Sequence, residues 1–580
     1  MKYLLRLFAI ILMLSSCGQP REQIGTEPAD SAFTRFEERF IEALWMQFPG
    51  WASSSGRHEF DSILNIPDSI SRQSDLHFCH AWLDSLKSMS SEKLSSSLAM
   101  DLKMIQSQLE SQIWYNSVFK SWEWNPAEYN LGGTFGEILN NKQVKLDQRL
   151  RNLLHKTRNG VRYYAAAIKN LKSVTPEHTE LAITQNEGAK GVFLVDIPTA
   201  ADSSGLTPEE KQLLKNRCAD IASAIDRYVT WLKRKDLDTS HSCRIGKSLY
   251  AQKFIHDIQS GMTAEELYRA ALGRKKMLHE KMDSLSRLLY PKYFRGKQIP
   301  KDSLQLIGEL IQKLSERHVH RDSFQTAIEK QIPELTAFVG KNNLLYLDPT
   351  KPLVVRKEPD WMAGVAGASI SAPGPYEKNG ETFYNVGSLK AYSAEDAESY
   401  LREYNHYILQ ILNIHEAIPG HYAQLVYSNK SRSLIKSLFG NGSMVEGWAV
   451  YTELMMLENG YGENSPEMWL MYYKWNLRTV CNTILDYSVH NLDMFATDGI
   501  DFLIKEAFQQ RKEAQNKWKR ATLTQVQLTS YFNGFSEIMN LRQQIIKKQG
   551  KDFSLKSFHE KFLGYGSAPV RLIAQDMTEK

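Results

Sequence analysis

The sequence predicts a mainly α-helical protein with one small β element. Most segments repeat apolar residues at three- and four-residue spacing, the pattern of an amphipathic helix. Three of these segments open with helix caps, which are Thr207 with Pro208 and Glu210, Thr263 with Glu266, and Ser465 with Pro466. No repeat of fixed period is present, which disfavours a helical solenoid.

One region departs from the helical pattern. Residues 364–380 are rich in glycine, proline and serine, and they lead into ETFYNVGS (381–388), a run with strand propensity. A serine-capped helix is predicted to start near Ser393 and to continue into a histidine motif. A loop, an edge strand and a motif helix in this order favour a cleft in which an extended peptide pairs with the strand. The alternative is a plain surface loop with an isolated strand.

Length and composition limit the class of protein. A chain of 580 residues is too long for one compact core. With 42% hydrophobic and 24% charged residues, the composition is that of a globular protein and not of a disordered or fibrous one. The net charge of +5 is mild, and no basic stripe is present, so no nucleic-acid partner is expected.

The N-terminus has the pattern of an export signal. Lys2 and Arg6 precede an apolar run that ends at Cys17 and is shorter than the roughly 20 residues a membrane span needs. Leu14–Cys17 (LSSC) resembles the bacterial lipobox, so residues 1–16 are predicted to be removed and Cys17 to carry lipid. Residues 17–34 would form a tether. The protein would be lipid-anchored in the cell envelope, either in the periplasm or at the outer membrane, and the lipid would be its only contact with a membrane. An ordinary signal peptide with an incidental cysteine is the alternative.

The remaining cysteines suggest no scaffold. They are far apart and include no CxxC pair, which argues against a zinc knuckle or a disulfide framework. Cys218 and Cys243 are the nearest pair, and the sequence leaves open whether they form a disulfide. The four residues are Cys79, Cys218, Cys243 and Cys481.

A near-miss to the HExxH zinc motif occurs at residues 411–425 (ILNIHEAIPGHYAQL). His415 and His421 are six residues apart, about 600° along an ideal helix, and would lie on different faces. Pro419 cannot donate a hydrogen bond to the carbonyl of His415, and Gly420 permits unusual backbone angles. The helix is therefore predicted to break at 417–420, which would bring His421 to the place of an i+4 ligand.

A catalytic zinc needs a third protein ligand and an open position. Glu446 lies 25 residues after His421 in an apolar segment (MVEGWAVYTELMM), where a carboxylate requires a partner. Glu453, seven residues further and on the same helical face, is either a rival ligand or a residue that orients one. Core histidines bonded to backbone carbonyls are the alternative to a metal site.

The segments HEAIPGHYAQ and EGWAVYTE resemble the bacterial domain-of-unknown-function family 885, with its HExxPGH and EGWAxY patterns. The likeness extends from about residue 35 to the end and includes 245–282 and 530–573. It implies a helical fold with a zincin-like active-site cleft, in which His415, His421 and Glu446 bind zinc and Glu416 is the base that activates a zinc-bound water.

The resemblance also implies residues that contact substrate. Tyr531 would donate to the oxyanion of the tetrahedral intermediate, and Arg542 would pair with a substrate carboxylate. Tyr384, on the predicted strand, and His490, in a D-x-x-x-H pattern with Asp486, complete the predicted substrate site. A core tyrosine and a buried ion-pair partner are the alternatives for Tyr531 and Arg542. The sequence departs from the family at positions 482, 487 and 488 and in the VQLTS segment before Tyr531.

These observations predict a zinc metallopeptidase that hydrolyses peptides outside the cytoplasm. The predicted organisation is an N-terminal helical domain at 35–345 and a zinc-binding catalytic domain at 346–580. One alternative is a non-catalytic helical lipoprotein of the outer membrane that binds glycans or nutrients. Another is a metallohydrolase with a non-peptide substrate.

Overall fold

The computed structural model describes residues 28–234, 236–358, 368–377, 380–390 and 392–579. It is 72% helical with one small sheet, which confirms the mainly α fold. Cys17, the signal segment and most of the predicted tether lie outside the described residues, as does part of the glycine-rich loop. Within the described chain, no helix combines the length and apolar character that a membrane crossing requires.

The first part of the chain is entirely helical. The capping boxes predicted at Thr207 and Thr263 are both formed, and each is reciprocal with the glutamate three residues on. The helices are α1 (Ala29–Gln47), α2 (Pro49–Ser54), α3 (Ser69–Leu86), α4 (Ser96–Trp114), α5 (Gly132–Asn140), α6 (Leu146–Lys156), α7 (Gly160–Asn170), α8 (Pro176–Gly191), α9 (Ile197–Asp202), α10 (Pro208–Leu232), α11 (Gly246–Asp257), α12 (Ala264–Tyr293), α13 (Ser303–Leu314) and α14 (Phe324–Lys341).

A three-stranded sheet follows, made of β1 (Leu353–Lys357), β2 (Ala368–Ser371) and β3 (Thr382–Val386). The predicted strand is confirmed as β3, but its predicted edge position is wrong. β3 lies in the middle, parallel to β1 and antiparallel to β2, because its backbone groups pair on both sides. In the described part of the chain, β2 pairs with β3 alone and is therefore an edge strand.

The last part of the chain is again helical. Its helices are α15 (Ala394–Glu403), α16 (His406–Glu416), α17 (His421–Ser428), α18 (Leu434–Leu438), α19 (Gly442–Glu458), α20 (Pro466–Asn491), α21 (Ala496–Lys505), α22 (Arg511–Thr524), α23 (Ser530–Gln549), α24 (Leu555–Leu563) and α25 (Val570–Glu579). Ser465 caps α20 as predicted. α20 is buried along almost its whole length and packs against α12, α16, α22 and α23.

The helix predicted to start at Ser393 is two helices. Ser393 caps α15 by accepting from the Asp396 N–H, as expected. The chain then leaves helical geometry at Tyr404, and the Asn405 side chain caps α16 by accepting from the N–H groups of Tyr407 and Ile408. An asparagine at this position competes for the backbone and starts a new helix in a new direction.

The buried apolar residues form two main cores. One lies within residues 129–232, and the other joins residues 33–109 to residues 250–577. Side chains from both sides of the predicted boundary between residues 345 and 346 pack in the second core, and the division into domains stays a prediction. The first helices thus support the C-terminal half directly.

α19 and α23 cross with their backbones in contact. A Cβ atom built on Gly447 would lie 2.3 Å from the carbonyl carbon of Gly534, and one built on Gly534 would lie 1.7 Å from the Ser443 oxygen. Only glycine allows this approach, since real Cβ atoms do not come so close to backbone. Next to the crossing, the Asn533 amide donates to the Ser443 hydroxyl at 2.8 Å.

Gly534→Ala is expected to destabilise the protein by about 1–3 kcal/mol, because the added methyl forces the two helices apart. Thermal unfolding measures the change. Gly273→Ala is the matched control, since its Cβ would meet nothing within 4 Å in the middle of α12. Its expected effect is a gain of about 0.5–1 kcal/mol from helix propensity. Equal melting temperatures for Gly534→Ala and the wild type would contradict the close packing.

Candidate metal centre

The helix breaks between the two motif histidines, as predicted. α16 ends at Glu416 and α17 begins at His421, with a cis peptide bond before Pro419. The Gly420 N–H donates to the Ile414 carbonyl at 3.0 Å, and a Cβ on Gly420 would lie 1.8 Å from the His415 oxygen. The four-residue turn therefore requires glycine at position 420 because it folds back against the end of α16.

This turn is held from the other side by α19. The Trp448 indole donates to the Pro419 carbonyl at 2.9 Å, and its ring is fully buried. Trp448 follows Glu446 by two residues, so the contact that fixes the turn also fixes the part of α19 that carries the carboxylate. Trp448 was not predicted from the sequence as a functional residue, although it lies inside the EGWAxY pattern.

The structure brings His415, His421 and Glu446 together, with one possible ligand atom from each within 4.8 Å of the others. The Glu446 Oε2 atom lies 3.7 Å from His415 Nε2 and 3.3 Å from His421 Nε2. Four tetrahedral ligands about 2.0–2.2 Å from a zinc ion lie roughly 3.3–3.6 Å apart. Both measured separations are close to that range, and Glu446 Oε2 is buried without a hydrogen-bond partner. The three residues therefore fit a divalent metal.

Glu453 holds the other face of His415. Its Oε1 atom accepts from His415 Nδ1 at 2.7 Å and from the Trp475 indole at 2.9 Å. The carboxylate is fully buried, and its partners leave His415 Nε2 facing Glu446. Of the two roles open to Glu453 from the sequence, the geometry supports that of orienting a ligand.

The charges of the cluster depend on one another. Burial opposes the charged form of His415, but bonds to Glu446 and Glu453 outweigh it and raise the pKa of His415 to about 10. Burial would raise the pKa of Glu446, yet the two imidazoles hold that pKa well below its usual range. Burial raises the pKa of Glu453 despite its contact with His415. The site thus concentrates carboxylates that need a cation beside them.

Glu416 lies at the end of α16, next to the cluster. Burial raises the pKa of its carboxyl group, against the opposite effect of the His421 imidazole. Tyr384 lies behind it: its hydroxyl donates to Asn413 Oδ1 at 2.9 Å, and the side chain is 0% exposed. Tyr384 therefore supports α16 from within the core, and the geometry does not support its predicted contact with substrate.

Tyr531 reaches the cluster from the start of α23. Its ring is nearly parallel to that of His415, with ring centroids 6.4 Å apart. Its hydroxyl accepts from Arg520 Nη2 at 2.9 Å. Burial and the nearby Glu446 carboxylate raise the pKa of Tyr531 to about 12, so the phenol is a hydrogen-bond donor at neutral pH. Arg520 was not predicted from the sequence, because an arginine in a polar helix carries no distinguishing pattern.

Arg542 and His490 are not brought to the cluster. Arg542 lies eleven residues after Tyr531 on α23, about 16 Å along the helix, and pairs with Glu458 at 2.7 Å. His490 Nε2 donates to the Ala521 carbonyl at 3.0 Å inside the core. Their contacts match structural roles, which the sequence had left open for Arg542.

A cleft opens beside Glu446. Its volume is about 540 Å³. The residues that line it include Ile370 of β2, Pro373, Leu425 of α17, Glu446 and Ser530. Glu446 is thus the member of the cluster that lines the cleft, and its side chain is 19% exposed.

All four cysteines in the described part of the chain are buried free thiols. Cys218 and Cys243, the nearest pair in sequence, do not form a disulfide. No cysteine takes part in the His415–His421–Glu446 cluster. The centre is therefore built from imidazole and carboxylate alone, which suits a catalytic zinc better than a structural one.

The fold and the motif together define a family. Residues 49–577 match the bacterial proteins of unknown function DUF885, and the chain belongs to that family. It is similar to a solved structure described as a putative lipoprotein of unknown function from Shewanella oneidensis, with 52% identity and a TM-score of 0.82, covering 94% of this chain and 99% of that one. A putative lipoprotein from Colwellia psychrerythraea shares the fold, with 16% identity, a TM-score of 0.77 and coverage of 96% and 99%. No curated protein matches the chain.

Glu453→Gln tests the support of His415. The amide can still accept from Nδ1, but it removes the negative charge that strengthens the imidazole as a ligand. Zinc affinity is expected to fall about 10- to 100-fold, measured by competition with a chelator of known affinity. Glu458→Gln, on the same helix and paired with Arg542, is the control and should bind zinc as the wild type does. An unchanged affinity in Glu453→Gln would show that Glu453 does not tune the site.

Proposed function

We propose that this protein is a zinc-dependent metallopeptidase of the bacterial cell envelope. The observation that carries the proposal is the convergence of His415, His421 and Glu446 on one point beside a cleft that Glu446 lines. Two imidazoles and one carboxylate leave a coordination position open, which is the donor set of many zinc hydrolases. A structural zinc site would instead be closed by four protein ligands.

His415, His421 and Glu446 would hold the metal, and Glu453 would fix the orientation of His415. When bound, zinc supplies a Lewis acid that polarises the scissile carbonyl and lowers the pKa of water. Glu446 reaches the cluster because α19 is pressed against α23 at Gly447. The ligands are therefore preset by packing, and little reorganisation is needed to bind a metal.

Glu416 is the proposed general base. It follows His415 directly and ends α16, so its carboxylate lies beside the ligands without being one of them. It would take the proton of the attacking water and pass it to the leaving amine. A carboxyl group whose pKa is raised by burial is better matched to proton transfer near neutral pH than an exposed one.

Tyr531 is the proposed oxyanion donor. Arg520 donates to the phenol oxygen, which leaves the phenol hydrogen free to point toward the cluster. A neutral phenol in this partly closed site can donate to the negative oxygen that develops on the carbonyl during attack. Its place at the first turn of α23 keeps it rigid, because the crossing with α19 lies one turn further on.

A peptide fits the shape of the cleft. β2 is an edge strand in the described part of the chain, and Ile370 at its end lines the cavity. An extended peptide could therefore add to β2 by main-chain hydrogen bonds, while the apolar residues of the cleft contact its side chains. This arrangement favours peptides over small non-peptide substrates.

The envelope location rests on the N-terminal lipobox and on the comparison proteins. Both solved structures are described as putative lipoproteins, and the one from Shewanella oneidensis is 52% identical to this chain. Cys17 is the proposed site of lipidation.

Glu416→Gln is expected to keep stoichiometric zinc and to lose about 10²- to 10⁴-fold in peptide hydrolysis, since the amide keeps the shape but cannot take a proton. His421→Ala should lose both the metal and the activity. Elemental analysis and turnover of a peptide mixture measure the two properties. Full activity in Glu416→Gln would place the base elsewhere, and wild-type protein that binds no zinc would refute the proposal.

Cys17→Ala should move the protein from the membrane fraction to the soluble fraction of the envelope, because the lipid is the expected anchor. Fractionation of cells that express each form provides the measurement. A variant that stays with the membranes as the wild type does would show that another anchor exists.

A further inference from the structure

Arg520 is a cation beside the metal centre with donors to spare. A guanidinium has five N–H donors. Two bonds from Nη2 go to the hydroxyl of Tyr531 and to Oε1 of Gln527, both at 2.9 Å. In the described chain Nε and Nη1 make no hydrogen bond, and neither belongs to the buried polar atoms without a partner. Both atoms are therefore open to a ligand.

Arg520 also makes no direct salt bridge among the described residues. No carboxylate of the described residues lies within 4 Å of its guanidinium, although the side chain is partly buried. The neighbouring cation Arg478, in contrast, pairs directly with Glu513 at 2.5 Å. Tyr531 and, from further away, the Glu446 carboxylate raise the pKa of Arg520 against the effect of burial, so the guanidinium is charged and its free donors can bind an anion.

The position of Arg520 relates it to the cleft. Gln527, which it binds, lines the cleft beside Glu446. Tyr531 connects it to the metal ligands, since the phenol ring is stacked 6.4 Å from His415. The Arg520 Cζ atom lies 5.7 Å from the Tyr531 ring centroid, so the guanidinium is within about 12 Å of the His415 ring, a distance that up to about three residues of an extended peptide cover.

We infer that Arg520 binds a carboxylate of the substrate, so that the preferred substrates are peptides with a negative group one to three residues from the scissile bond. This inference rests on the proposed peptidase function. The carboxylate can be the free C-terminus of a short peptide fragment or the side chain of an acidic residue. A charge-assisted hydrogen bond from Nε or Nη1 would use the free donors of the guanidinium and would fix the position of the peptide relative to the metal.

The test uses three fluorescent pentapeptide libraries: one with a free C-terminus, one amidated, and one amidated with glutamate in the last position. Their affinities for zinc-loaded Glu416→Gln protein are measured by anisotropy, which needs no hydrolysis, and their kcat/KM values with the wild type are measured in parallel. Tighter binding of the first library, by 10-fold or more over the amide, identifies the C-terminus as the ligand. Tighter binding of the third identifies an acidic side chain.

Arg520→Gln, introduced into the wild type or into the Glu416→Gln protein, should abolish the preference for peptides with the negative group. Arg520→Lys should retain part of that preference. Lys519→Gln is the matched control, because it removes the same charge one position away on the exposed face of α22 and should change nothing. Thermal unfolding checks that each variant is folded.

If the protein that retains Arg520 binds all three libraries equally, the inference is overturned, whatever the hydrolysis results. An equal loss on all libraries in Arg520→Gln also overturns it and leaves Arg520 the role of positioning Tyr531. Binding with the expected preference but without turnover in the zinc-loaded wild type supports the carboxylate site and refutes the peptidase proposal.

Discussion

The candidate centre depends on the backbone contact between α19 and α23 at Gly447 and Gly534. Because neither position can hold a Cβ atom, the two helices approach more closely than ordinary side chains allow. Glu446 precedes one of these glycines, and Tyr531 lies one turn before the other. A single crossing point therefore sets the separation between a metal ligand and the phenol above it. If the two helices crossed at a larger distance, Glu446 and Tyr531 would keep their positions on their own helices but would no longer lie close to each other.

The turn at residues 417–420 solves a second geometric problem. It must return the chain to the end of α16 within four residues, and it does so with Gly420 against the His415 carbonyl and Trp448 on the Pro419 carbonyl. The same α19 thus supplies the third ligand, the clamp on the turn and Glu453 behind His415. Because one buried helix carries these three roles, the cluster is rigid. A rigid set of ligands favours metal binding, since little rearrangement is needed.

The sequence allowed the helical class, three capped helices, the break in the motif helix and the convergence of His415, His421 and Glu446 to be predicted, because each follows from local chemistry or spacing. It did not show that β3 is central, since pairing partners are set by tertiary contacts. Nor did it show that the helix after Ser393 restarts at Asn405. Arg542 and His490 were predicted in the substrate site by likeness alone, whereas the structure gives both of them partners elsewhere. Arg520 was missed, because its place beside Tyr531 and its spare donors are visible only in three dimensions.

Asp486 connects distant parts of the chain beside the candidate centre. Its Oδ1 atom accepts from the Tyr250 hydroxyl at 2.7 Å and from the Val526 N–H at 2.8 Å, and it thereby fixes the turn before Tyr531. Val526 has a φ of 64°, a conformation that a β-branched residue adopts only when its surroundings enforce it. The three partners are separated by more than 200 and by 40 residues of chain, so their meeting carries a large loop-closure entropy. The place of Tyr531 therefore depends on contacts between segments that lie far apart in the chain, and not on the motif helices alone.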